Sequence, residues 1–494
     1  MKRALLSVWN KEGIQELATA LHTAGIEILS SGGTGKTLQA AGIPYIEVSD
    51  YTGSPEMMDG RVKTLHPRIH GGLLGRKGTD DRIMGEHNIL PIDLLVVNLY
   101  PFEEMMKQAL ELEKLIEFID IGGPAMIRAA AKNYKDVTVI IDPADYSLII
   151  HTLTKGGLSQ DQRLGLAKKV FARMAAYDGT ISNYLYSIDT DFPPVWNAQY
   201  QNGRILRYGE NPHQKAAVYG TEGIAAAIPV QGKEMSYNNY LDLAAAVDLL
   251  REFTTCTSVI VKHNNPCGVA TRKAPLDAYI TARDCDPTSA YGSIVALNEE
   301  VDEELAAAIA STFVEVLVAP SFSTKAREIL KKKENLRIIS LPSPVPGPEI
   351  RSIDGGVLIQ KTQYSPESWI VVTDRDPTAE EEESMRFAIK VCKHTKSNAI
   401  VFAKPDRALG IGAGQMNRVE SAKIAIMKAT ESLTGSAVAS DAFLPFSDTL
   451  QVVADAGATA LIQPGGSIRD NEVIEEANKR GMAMIFTGVR HFRH

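Results

Sequence analysis

Short apolar runs alternate with amphipathic helical segments along the first fifty residues of this chain. Leu5–Val8 and Ile26–Leu29 are typical of buried strands, and the apolar residues between Ile14 and Leu21 recur at helical spacing. A strand–helix–strand unit of this kind makes its two strands parallel. Asp93–Leu99 and Val137–Ile141 are near-continuous apolar runs, as expected for strands buried on both faces. The sequence therefore predicts an N-terminal α/β domain with a doubly wound parallel sheet.

The chain is long enough for more than one hydrophobic core. At 494 residues it predicts two to four domains. The polar, proline-containing segment Asp189–Asn197 predicts a boundary near residue 198, and four prolines between Leu341 and Gly356 predict a second break. We expect a domain over residues 1–198 and an α/β region over 199–494, with lobes of about 199–355 and 356–494. The sequence itself reveals no internal repeat.

Composition excludes several classes of protein. The net charge of -8 argues against nonspecific nucleic-acid binding. The four cysteines are widely spaced without a C-x-x-C pair, which argues against a disulfide scaffold and is typical of a reducing cytoplasm. The first residues have too short an apolar run for a signal peptide, and no run reaches the roughly 20 apolar residues of a membrane span. We expect a cytoplasmic protein with neither nucleic acid nor membrane as a partner.

A glycine-rich turn follows the second strand. The segment Ser31–Thr37 resembles a P-loop, but that motif needs a glycine where this chain has Ser30, so nucleoside-triphosphate hydrolysis is not supported. Backbone amides of such a turn at a helix start favour an anion, plausibly a phosphate. A simple tight turn is the alternative interpretation.

Basic, phenolic and carboxylate residues occur in three further N-terminal motifs. In the segment Asp59–Pro67, Arg61 and Lys63 would point the same way if the backbone were extended, and could clamp a phosphate or polarise a carbonyl. Tyr100 ends a buried strand, and Asp120 precedes a helix that carries Lys132. Each motif alone is more typical of ordinary surface chemistry.

The segment Val261–Gly268 carries the strongest catalytic signal. A buried strand ends in Lys262 and His263, and Asn-Asn-Pro then forces a turn. If the strand is parallel to its neighbours, this end opens into the crevice where α/β proteins place their chemistry. The histidine could exchange a proton near neutral pH, and the lysine could stabilise a developing negative oxygen. A solvated Lys–His pair is the alternative.

Other motifs of the second half are rich in donors or aromatic rings. The segments Arg207–Gln214, Ser289–Ser293 and Lys393–Asn398 are polar turns. Gly410–Gln415 is glycine-rich but has Gln415 where a dinucleotide fingerprint needs its third glycine, so NAD binding is not supported. Ser440–Asp448 combines aromatic rings with carboxylates, which suits a flat heterocycle.

Taken in order, these motifs resemble a known family end to end. Ser-Gly-Gly-Thr, Gly-Arg-Val-Lys-Thr-Leu-His-Pro, Asn-Leu-Tyr-Pro-Phe and Asp-Ile-Gly-Gly are similar to the cyclohydrolase half of the bifunctional purine-biosynthesis enzymes. Arg-Tyr-Gly-Glu-Asn-Pro-His-Gln, Val-Lys-His-Asn-Asn-Pro-Cys-Gly, Lys-Ser-Asn-Ala, Ser-Asp-Ala-Phe-Leu-Pro-Phe and the terminal Arg-His-Phe-Arg-His resemble their transformylase half. One departure is Ser-Ala-Tyr-Gly-Ser in place of the family's Ser-Ala-Phe-Gly-Gly. Tyr291 and Ser293 add hydroxyls there, which bears on substrate affinity.

The resemblance implies two reactions and a set of residues. The C-terminal half would transfer a formyl group from 10-formyltetrahydrofolate to AICAR (5-aminoimidazole-4-carboxamide ribonucleotide), and the N-terminal half would close formyl-AICAR to IMP. It also implies a methylglyoxal-synthase-like first domain, a cytidine-deaminase-like second region, a homodimer and no catalytic metal. The implied catalytic residues are Lys262, His263 and Asn398 for formyl transfer and Lys63, Tyr100, Asp120 and Lys132 for ring closure. The implied substrate-binding residues are Ser7, Lys11, Ser31, Gly32, Gly33, Thr34, Arg61, Thr64, Arg207, Tyr208, Asn239, Gly292, Glu315, Arg418, Phe443, Asp448 and Arg490.

Two rival classes share parts of this pattern. A zinc nucleobase deaminase needs P-C-x-x-C, but Pro266-Cys267 is followed by Gly-Val-Ala, so the second thiol is missing. A non-catalytic nucleotide sensor would use the N-terminal sheet alone and leave Lys262 and His263 idle. Turnover of AICAR with formylfolate separates the sensor from the enzyme.

Overall fold

A computed structural model of the chain describes residues 1–153, 157–361 and 367–494. These residues form two compact units, Met1–Gln199 and Tyr200–His494. Among them, no helix combines the length and the apolar character needed to cross a membrane.

The described part of unit 1 is built on a five-stranded sheet in which every pair of neighbours is parallel. The strand order β3-β2-β1-β4-β5 reverses direction between β1 and β4, which confirms the doubly wound prediction. The strands are β1 (Arg3–Val8), β2 (Glu27–Ser30), β3 (Ile46–Glu47), β4 (Leu94–Asn98) and β5 (Thr138–Ile140). The helices are α1 (Ile14–Thr23), α2 (Gly32–Ala40), α3 (Val48–Thr52), α4 (Pro67–Leu74), α5 (Asp81–Glu86), α6 (Phe102–Met106), α7 (Leu112–Ile116), α8 (Gly122–Lys132), α9 (Tyr146–Leu153) and α10 (Gln160–Ser187), with a 3₁₀ turn at Pro143–Asp145.

Each face of this sheet packs against its own layer of helices. On β1, Leu5 belongs to a core shared with α4, α8 and α10, whereas its neighbour Leu6 belongs to a core shared with α1 and α9. Successive side chains of a strand point to opposite faces, so a strand covered on both sides must be apolar throughout. This explains the near-continuous apolar runs of the sequence.

The polar segment after α10 folds back along that helix. The amide Nδ2 of Asn183 donates to the carbonyl of Asn197 (2.7 Å), and Nε2 of Gln199 donates to the carbonyl of Ala172 (3.0 Å). Residues 189–199 are therefore held by α10 rather than spanning free space.

Unit 2 contains, within its described residues, one eleven-stranded sheet and two small hairpins. The strands are β6 (Arg204–Leu206), β7 (Ala216–Val218), β8 (Thr257–Lys262), β9 (Asn265–Thr271), β10 (Ser293–Leu297), β11 (Val314–Ala319), β12 (Arg337–Ser340), β13 (Glu349–Ile353), β14 (Gly356–Gln360), β15 (Ile370–Val371), β16 (Ile400–Lys404), β17 (Arg407–Gly412), β18 (Ala437–Ser440), β19 (Ala460–Gln463) and β20 (Ala483–Phe486). The helices are α11 (Gly223–Ala226), α12 (Tyr237–Leu250), α13 (Pro275–Cys285), α14 (Pro287–Ala290), α15 (Glu303–Ala310), α16 (Thr324–Leu330), α17 (Ala379–Lys393), α18 (Arg418–Lys428), α19 (Asp448–Asp455) and α20 (Asp470–Lys479).

The large sheet contains the same topology twice, a repeat that the sequence does not reveal. One half has the strand order β9-β8-β10-β11-β12 and the other β17-β16-β18-β19-β20. Each half begins with an antiparallel hairpin, adds a third strand antiparallel to the first, and continues with two parallel strands. The halves join where β9 lies antiparallel to β17. Because packing needs only apolar residues of suitable size, two halves can share a topology without recognisable sequence similarity.

The proline-rich segment between Leu341 and Gly356, predicted as a break between lobes, contains regular structure. Part of it forms the hairpin β13–β14, with Ile350 opposite Ile359 and Glu349 opposite Gln360. The predicted lobe boundary at 355/356 falls in the turn of this hairpin, between the two halves of the sheet.

Glycines allow strands and helices of unit 2 to approach closely. A Cβ on Gly268 of β9 would lie 1.8 Å from the carbonyl oxygen of Ala282 in α13, and one on Gly412 of β17 would lie 1.8 Å from the carbonyl oxygen of Ser421 in α18. Gly410 and Gly412 of the glycine-rich segment therefore serve strand–helix packing.

Candidate active sites in the two units

In unit 1, three polar loops leave the sheet at its carboxyl edge. Lys11 follows β1, the glycine-rich turn Ser31–Thr34 follows β2, and Tyr100 follows β4. The strand order reverses between β1 and β4, and such a switch point opens a crevice for ligands in doubly wound sheets. The topology therefore gathers these predicted residues at one edge.

The glycine-rich turn is flanked by two ammonium groups. A Cβ on Gly32 would lie 3.3 Å from Nζ of Lys63, and one on Gly33 would lie 3.7 Å from Nζ of Lys11. Nζ of Lys11 also donates to Oγ1 of Thr34 (3.1 Å), and its partial burial lowers the pKa of this lysine. Two lysines beside the N-terminus of α2 make this turn suited to an anion.

Arg61 and Lys63 diverge, contrary to the sequence-based expectation. Met58 (φ 56°), Asp59 (φ 53°) and Gly60 (φ 90°) have positive φ, so the chain turns where an extended backbone was predicted. Lys63 consequently pairs with Glu56 (2.8 Å) and points to the glycine-rich turn, whereas Arg61 pairs with Glu117.

Asp120 lies in a protected position at the start of α8. Its Oδ1 accepts the backbone N–H of Gly123 (2.8 Å), and its own N–H donates to the hydroxyl of Tyr177 (2.9 Å). Burial raises the pKa of Asp120, and hydrogen bonds from the backbone N–H groups of Gly123 and Tyr100 only partly offset this. The carboxyl group thus lies against the backbone of Tyr100, whose ring packs on Trp9 with centroids 5.0 Å apart.

The remaining predicted residues of unit 1 take different positions. Thr64 is buried, and its Oγ1 would lie 2.8 Å from a Cβ on Gly122, so it adjoins the start of α8. Ser7 lies within β1, opposite Val97. Lys132 ends α8, about 15 Å along the helix axis from Gly122. A single chain therefore does not bring Lys132 to the edge that holds Lys63, Tyr100 and Asp120.

A separate open cavity of ≈ 490 Å³ occurs in unit 1, and it does not coincide with these residues. Its lining includes Glu12, Glu16, Asp142 and Ser147, and none of the described residues that line it is basic. An acidic lining repels phosphate, so we assign the anion site to the glycine-rich turn instead.

In unit 2, Lys262 and His263 lie at the turn of the hairpin β8–β9. The expectation of a parallel strand end is wrong, because β8 is antiparallel to both β9 and β10. His263 (φ 51°) and Asn264 (φ 61°) form the two-residue turn, and positive φ at both positions is typical of a type I′ hairpin. Pro266 sits where the ladder changes register, so its missing N–H is tolerated.

Asp242 of α12, which the sequence analysis missed, supports this turn. Its Oδ1 accepts the N–H of Asn264 (2.7 Å), and the N–H of His263 contributes as well. Burial raises the pKa of Asp242, and these hydrogen bonds together with the charge of His263 partly counteract it. Asp242 therefore anchors the backbone that presents His263.

Lys262 is oriented by the motif Ser289–Ser293. Its Nζ donates to the carbonyl of Tyr291 (2.7 Å), and the exposed Tyr291 ring packs against Phe313 with centroids 5.2 Å apart. Gly292 has φ 73° and donates its N–H to the carbonyl of Phe313 (2.7 Å). The positive φ explains the glycine.

Asn398 comes from the other half of the sheet to the same edge. The side chain of Asn265, next to the hairpin turn, accepts the backbone N–H of Lys396 (2.9 Å). The side chain of Asn398 donates to the carbonyl of Gln415 (2.9 Å). The antiparallel junction of β9 and β17 thus brings the start of β16 beside the turn of β8–β9.

Arg418 and Arg490 form the basic part of this edge. Nη2 of Arg418 pairs with the fully buried Asp441 (3.1 Å), whose second carboxylate oxygen has no hydrogen-bond partner among the described residues. The guanidinium groups of Arg418 and Arg490 lie 5.7 and 4.4 Å from the ring centroid of Phe492. Phe443 is exposed in the loop that follows β18.

Four other predicted residues of unit 2 have identified partners, and Asp448 begins α19. Arg207 lies over the ring of Tyr208 (5.3 Å), in the loop whose Glu210 carbonyl accepts from Asn238 of α12. Asn239 is buried, and its side chain accepts the N–H of Ser236 (3.1 Å) as a helix cap, while Glu315 pairs with Arg337 (2.8 Å). The side-chain oxygen of Asn239 and the carboxylate of Glu315 are thus bonded within the chain. Oδ1 of Asp448 accepts the N–H of Thr449 (2.7 Å).

The residues that the structure describes contain no group of three or more histidine, cysteine, aspartate or glutamate side chains that could hold a metal ion. What the edges offer is anion-binding lysines in unit 1 and a Lys–His–Asn cluster with two arginines in unit 2.

Fold and site geometry together define a two-unit α/β protein in which one edge of each unit's main sheet carries lysines and other polar side chains. The family model described as AICARFT/IMPCHase bienzyme matches residues 130–428, and the model of the MGS-like domain matches residues 13–125. Because the first match covers more than half of the chain, the chain belongs to the AICARFT/IMPCHase bienzyme family. It is a bifunctional enzyme of purine biosynthesis with AICAR transformylase and IMP cyclohydrolase activities, and the family uses a formyl-folate as co-substrate.

One solved structure is also similar to part of the chain. The crystal structure of ForH is 34% identical in sequence, and the match covers 38% of this chain and 100% of that one, with a TM-score of 0.35.

Proposed function

We propose that unit 2 transfers the formyl group of 10-formyltetrahydrofolate to AICAR, and that unit 1 closes formyl-AICAR to IMP. The observation that carries this division is the separation of two residue sets. Lys262, His263 and Asn398 belong to one edge of unit 2, and Lys63, Tyr100 and Asp120 to one edge of unit 1. We also propose a cytoplasmic location, which the widely spaced cysteines without a C-x-x-C pair support.

In formyl transfer, the 5-amino nitrogen of AICAR forms a bond to the formyl carbon, and the bond from that carbon to N10 of the folate breaks. The amine is conjugated with the imidazole ring and is a poor nucleophile, so a base must remove its proton. We assign that role to His263, and we assign to Lys262 the stabilisation of negative charge on the formyl oxygen or protonation of N10. Asn398 orients the formyl group.

The remaining residues of this edge hold the substrates. Arg418 and Arg490 carry the positive charge that a nucleotide phosphate requires. Phe443 offers an exposed aromatic face to a flat heterocycle. We assign Arg207, Tyr208, Asn239, Gly292, Glu315 and Asp448 to the same substrates on the basis of family membership. Within the chain, the side chains of Asn239 and Glu315 also bond Ser236 and Arg337.

In ring closure, the carboxamide nitrogen attacks the formyl carbon within one molecule, and water leaves. The enzyme has to fold the substrate and to stabilise the oxyanion. Lys11, Ser31, Gly32, Gly33 and Thr34 bind the phosphate, supported by Ser7 and Thr64. Arg61, which pairs with Glu117 in the structure, is assigned to the same substrate on the basis of family membership alone. Lys63, Tyr100 and Asp120 surround the reacting atoms. Lys132 takes part only if a second copy of the chain supplies it.

A crossed pair of variants tests the division. We expect His263→Ala to slow formyl transfer by about 10²-fold or more, the scale of a positioned acid–base group, without changing cyclisation of supplied formyl-AICAR. Lys63→Ala should do the reverse, so that formyl-AICAR accumulates. Steady-state rates of both half-reactions measure this.

Two exposed lysines provide matched controls. Lys325 of unit 2 pairs with Glu303 and Lys114 of unit 1 with Glu111, and their alanine variants should keep both activities. Loss of both activities in His263→Ala or Lys63→Ala, with an unchanged thermal melt, would refute the assignment of the sites.

We further propose a homodimer. It gives Lys132 a route to a cyclisation site that its own chain does not provide. Light scattering should give twice the mass of one chain, and mixing Lys63→Ala with Lys132→Ala chains should restore part of the cyclisation activity. A fully active monomer would contradict this proposal.

A further inference from the structure

The segment that follows β20 lies beside the turn that carries Asn398. Ser397 and Arg493 exchange two hydrogen bonds: the N–H of Ser397 donates to the carbonyl of Arg493 (3.0 Å), and the N–H of Arg493 donates to Oγ of Ser397 (3.0 Å). The N–H of His491 donates to the carbonyl of Asp441 (2.8 Å). Displacing Arg493 would therefore displace the backbone next to Asn398, and Arg490 belongs to the same segment.

The side chain of Arg493 is held by a histidine that neither the sequence analysis nor the proposed mechanism uses. Nη1 of Arg493 lies 2.8 Å from Nδ1 of His394, the residue after α17. Nε2 of His394 lies 3.1 Å from Oε1 of Glu252, after α12. The His394 side chain is only 13% exposed. Arg493, His394 and Glu252 form a chain of hydrogen bonds from the C-terminal segment into the core of unit 2.

The geometry dictates the tautomer of His394. A guanidinium group has donors and no acceptor, so Nδ1 must accept and carries no proton. Nε2 then bears the proton and donates a hydrogen bond to Oε1 of Glu252. A protonated imidazole would instead turn an N–H toward the Arg493 guanidinium at 2.8 Å and lose this hydrogen bond.

The charges around His394 agree with a neutral ring. Asp248 faces it from α12, Glu252 from the residues just after α12, Arg493 from the C-terminal segment, and Lys393, 3.6 Å from Glu252, from α17. Burial lowers the pKa of His394, and the hydrogen bond to Glu252 only partly reverses this. Burial would raise the pKa of Glu252, but the bond from His394 and the charges of Lys393 and Lys390 lower it overall.

We propose that His394 is a positioning residue for formyl transfer: as a neutral acceptor it holds Arg493, and through Ser397 it fixes the amide of Asn398. This inference rests on the proposed transformylase site. His394 contacts no reacting atom itself, and it acts by keeping one reacting group in register with Lys262 and His263.

Two replacements of His394 separate positioning from packing. Phenylalanine keeps a flat aromatic ring, slightly larger than imidazole, but removes the acceptor, whereas asparagine places Oδ1 near the position of Nδ1. We expect His394→Phe to lower kcat of formyl transfer by about 10-fold to 100-fold, the range that misplacement of a reacting group costs. His394→Asn should recover most of that loss. Cyclisation of formyl-AICAR should stay unchanged in both variants.

A double-mutant cycle tests the route through Arg493. If His394 acts through that side chain, Arg493→Ala and the double variant His394→Phe/Arg493→Ala should have the same kcat. Arg386→Gln, on the same helix α17 but paired with Glu382 and stacked on Trp369, is the matched control and should leave kcat unchanged.

Three outcomes would overturn the inference while leaving the proposed function intact: an unchanged kcat in His394→Phe, an asparagine variant as slow as the phenylalanine variant, or additive effects in the cycle. If the loss of kcat came from destabilisation alone, His394→Phe and His394→Asn would lower the melting temperature and kcat alike. That result is the second outcome. An unaltered chain that fails to transfer the formyl group would refute the proposed function itself.

Discussion

At the scale of single residues, Asp120 is proposed to act in catalysis although its carboxylate is largely buried. Its burial raises the pKa, so between the ordinary value and the folded value the folded chain binds more protons than the unfolded chain. Stability of unit 1 therefore falls as the pH rises through this window, and at neutral pH the desolvation cost of the carboxylate is fully present. Function and stability are in conflict at this residue.

Replacing Asp120 by asparagine should expose that conflict. We expect Asp120→Asn to abolish cyclisation yet to raise the melting temperature of unit 1 at pH 7, because Oδ1 can still accept from Gly123 without a buried charge. Calorimetry and the cyclisation assay measure the two effects. Asp189→Asn, at an exposed position, should change neither, and a lowered melting temperature in Asp120→Asn would contradict the argument.

The residues that sequence reasoning found are those whose chemistry is visible without partners. Lys262, His263 and Asn398 stand in polar turns beside apolar runs. Asp242, Asp441 and His394 act through residues more than twenty positions away along the chain, such as Asn264 and Arg493. No local pattern marks such pairs, so only the fold reveals them.

At the scale of elements, the hairpin β8–β9 presents Lys262 and His263 through a backbone that few residues adopt. A left-handed conformation costs most residues about 1–2 kcal/mol, but glycine adopts it freely and asparagine readily. The apolar run of β8 is equally typical of a parallel and an antiparallel strand. Pro266, which lacks an N–H, is unfavourable in a hydrogen-bonded pair of strands. The bulge at this proline is what permits the hairpin.

Substitutions of Asn264 (φ 61°) test this turn. We expect Asn264→Ala to lower the unfolding free energy of unit 2 by about 1 kcal/mol and to slow formyl transfer, because the turn that holds Lys262 is strained. Asn264→Gly, which keeps the N–H for Asp242, should retain both properties. Urea unfolding and initial rates provide the comparison, and equal losses in the two variants would show that the side chain matters rather than the backbone.

At the scale of the whole molecule, acid should affect the stability of unit 2 through two groups. Glu367 of unit 2 has its pKa lowered to about 2, chiefly by the hydrogen bond from His491, so its stabilising contribution is present above the ordinary value and is lost as the pH falls toward 2. The lowered pKa of His394 adds a loss of stability below the ordinary histidine value. Unit 1 contains shifts of both signs, because the pKa of Asp120 is raised whereas those of Asp93 and His70 are lowered.

Acid titration should therefore destabilise unit 2 in two stages. We expect the melting temperature of unit 2 to fall from about pH 6.5 downward, as His394 becomes protonated, and again as the pH approaches the lowered pKa of Glu367. In His394→Phe the first part of that fall should be absent. Calorimetry between pH 7 and pH 3 measures this, and a first stage of the same size in the unaltered chain and in His394→Phe would contradict the expectation.

The architecture was predictable in part, for physical reasons. The parallel sheet of unit 1 follows from the alternation of apolar strands and amphipathic helices, because both faces of every strand are covered. The duplicated topology of unit 2 was not predictable, because its halves share spacing and burial but no recognisable residues. The divergence of Arg61 and Lys63 depends on positive φ at Met58 and Asp59, which side-chain patterns do not encode.

The transformylase edge lies at the junction of the two halves of the large sheet, a seam to which each half contributes a different structural element. Because β9 runs antiparallel to β17, with Ala270 opposite Arg407, one half supplies a hairpin turn and the other the residues that lead into β16. Neither half alone contains both His263 and Asn398. A slip of one residue along this seam would shift the two by about 3.3 Å, more than a reacting geometry tolerates. The alignment of a single strand pair thus sets the separation of His263 and Asn398.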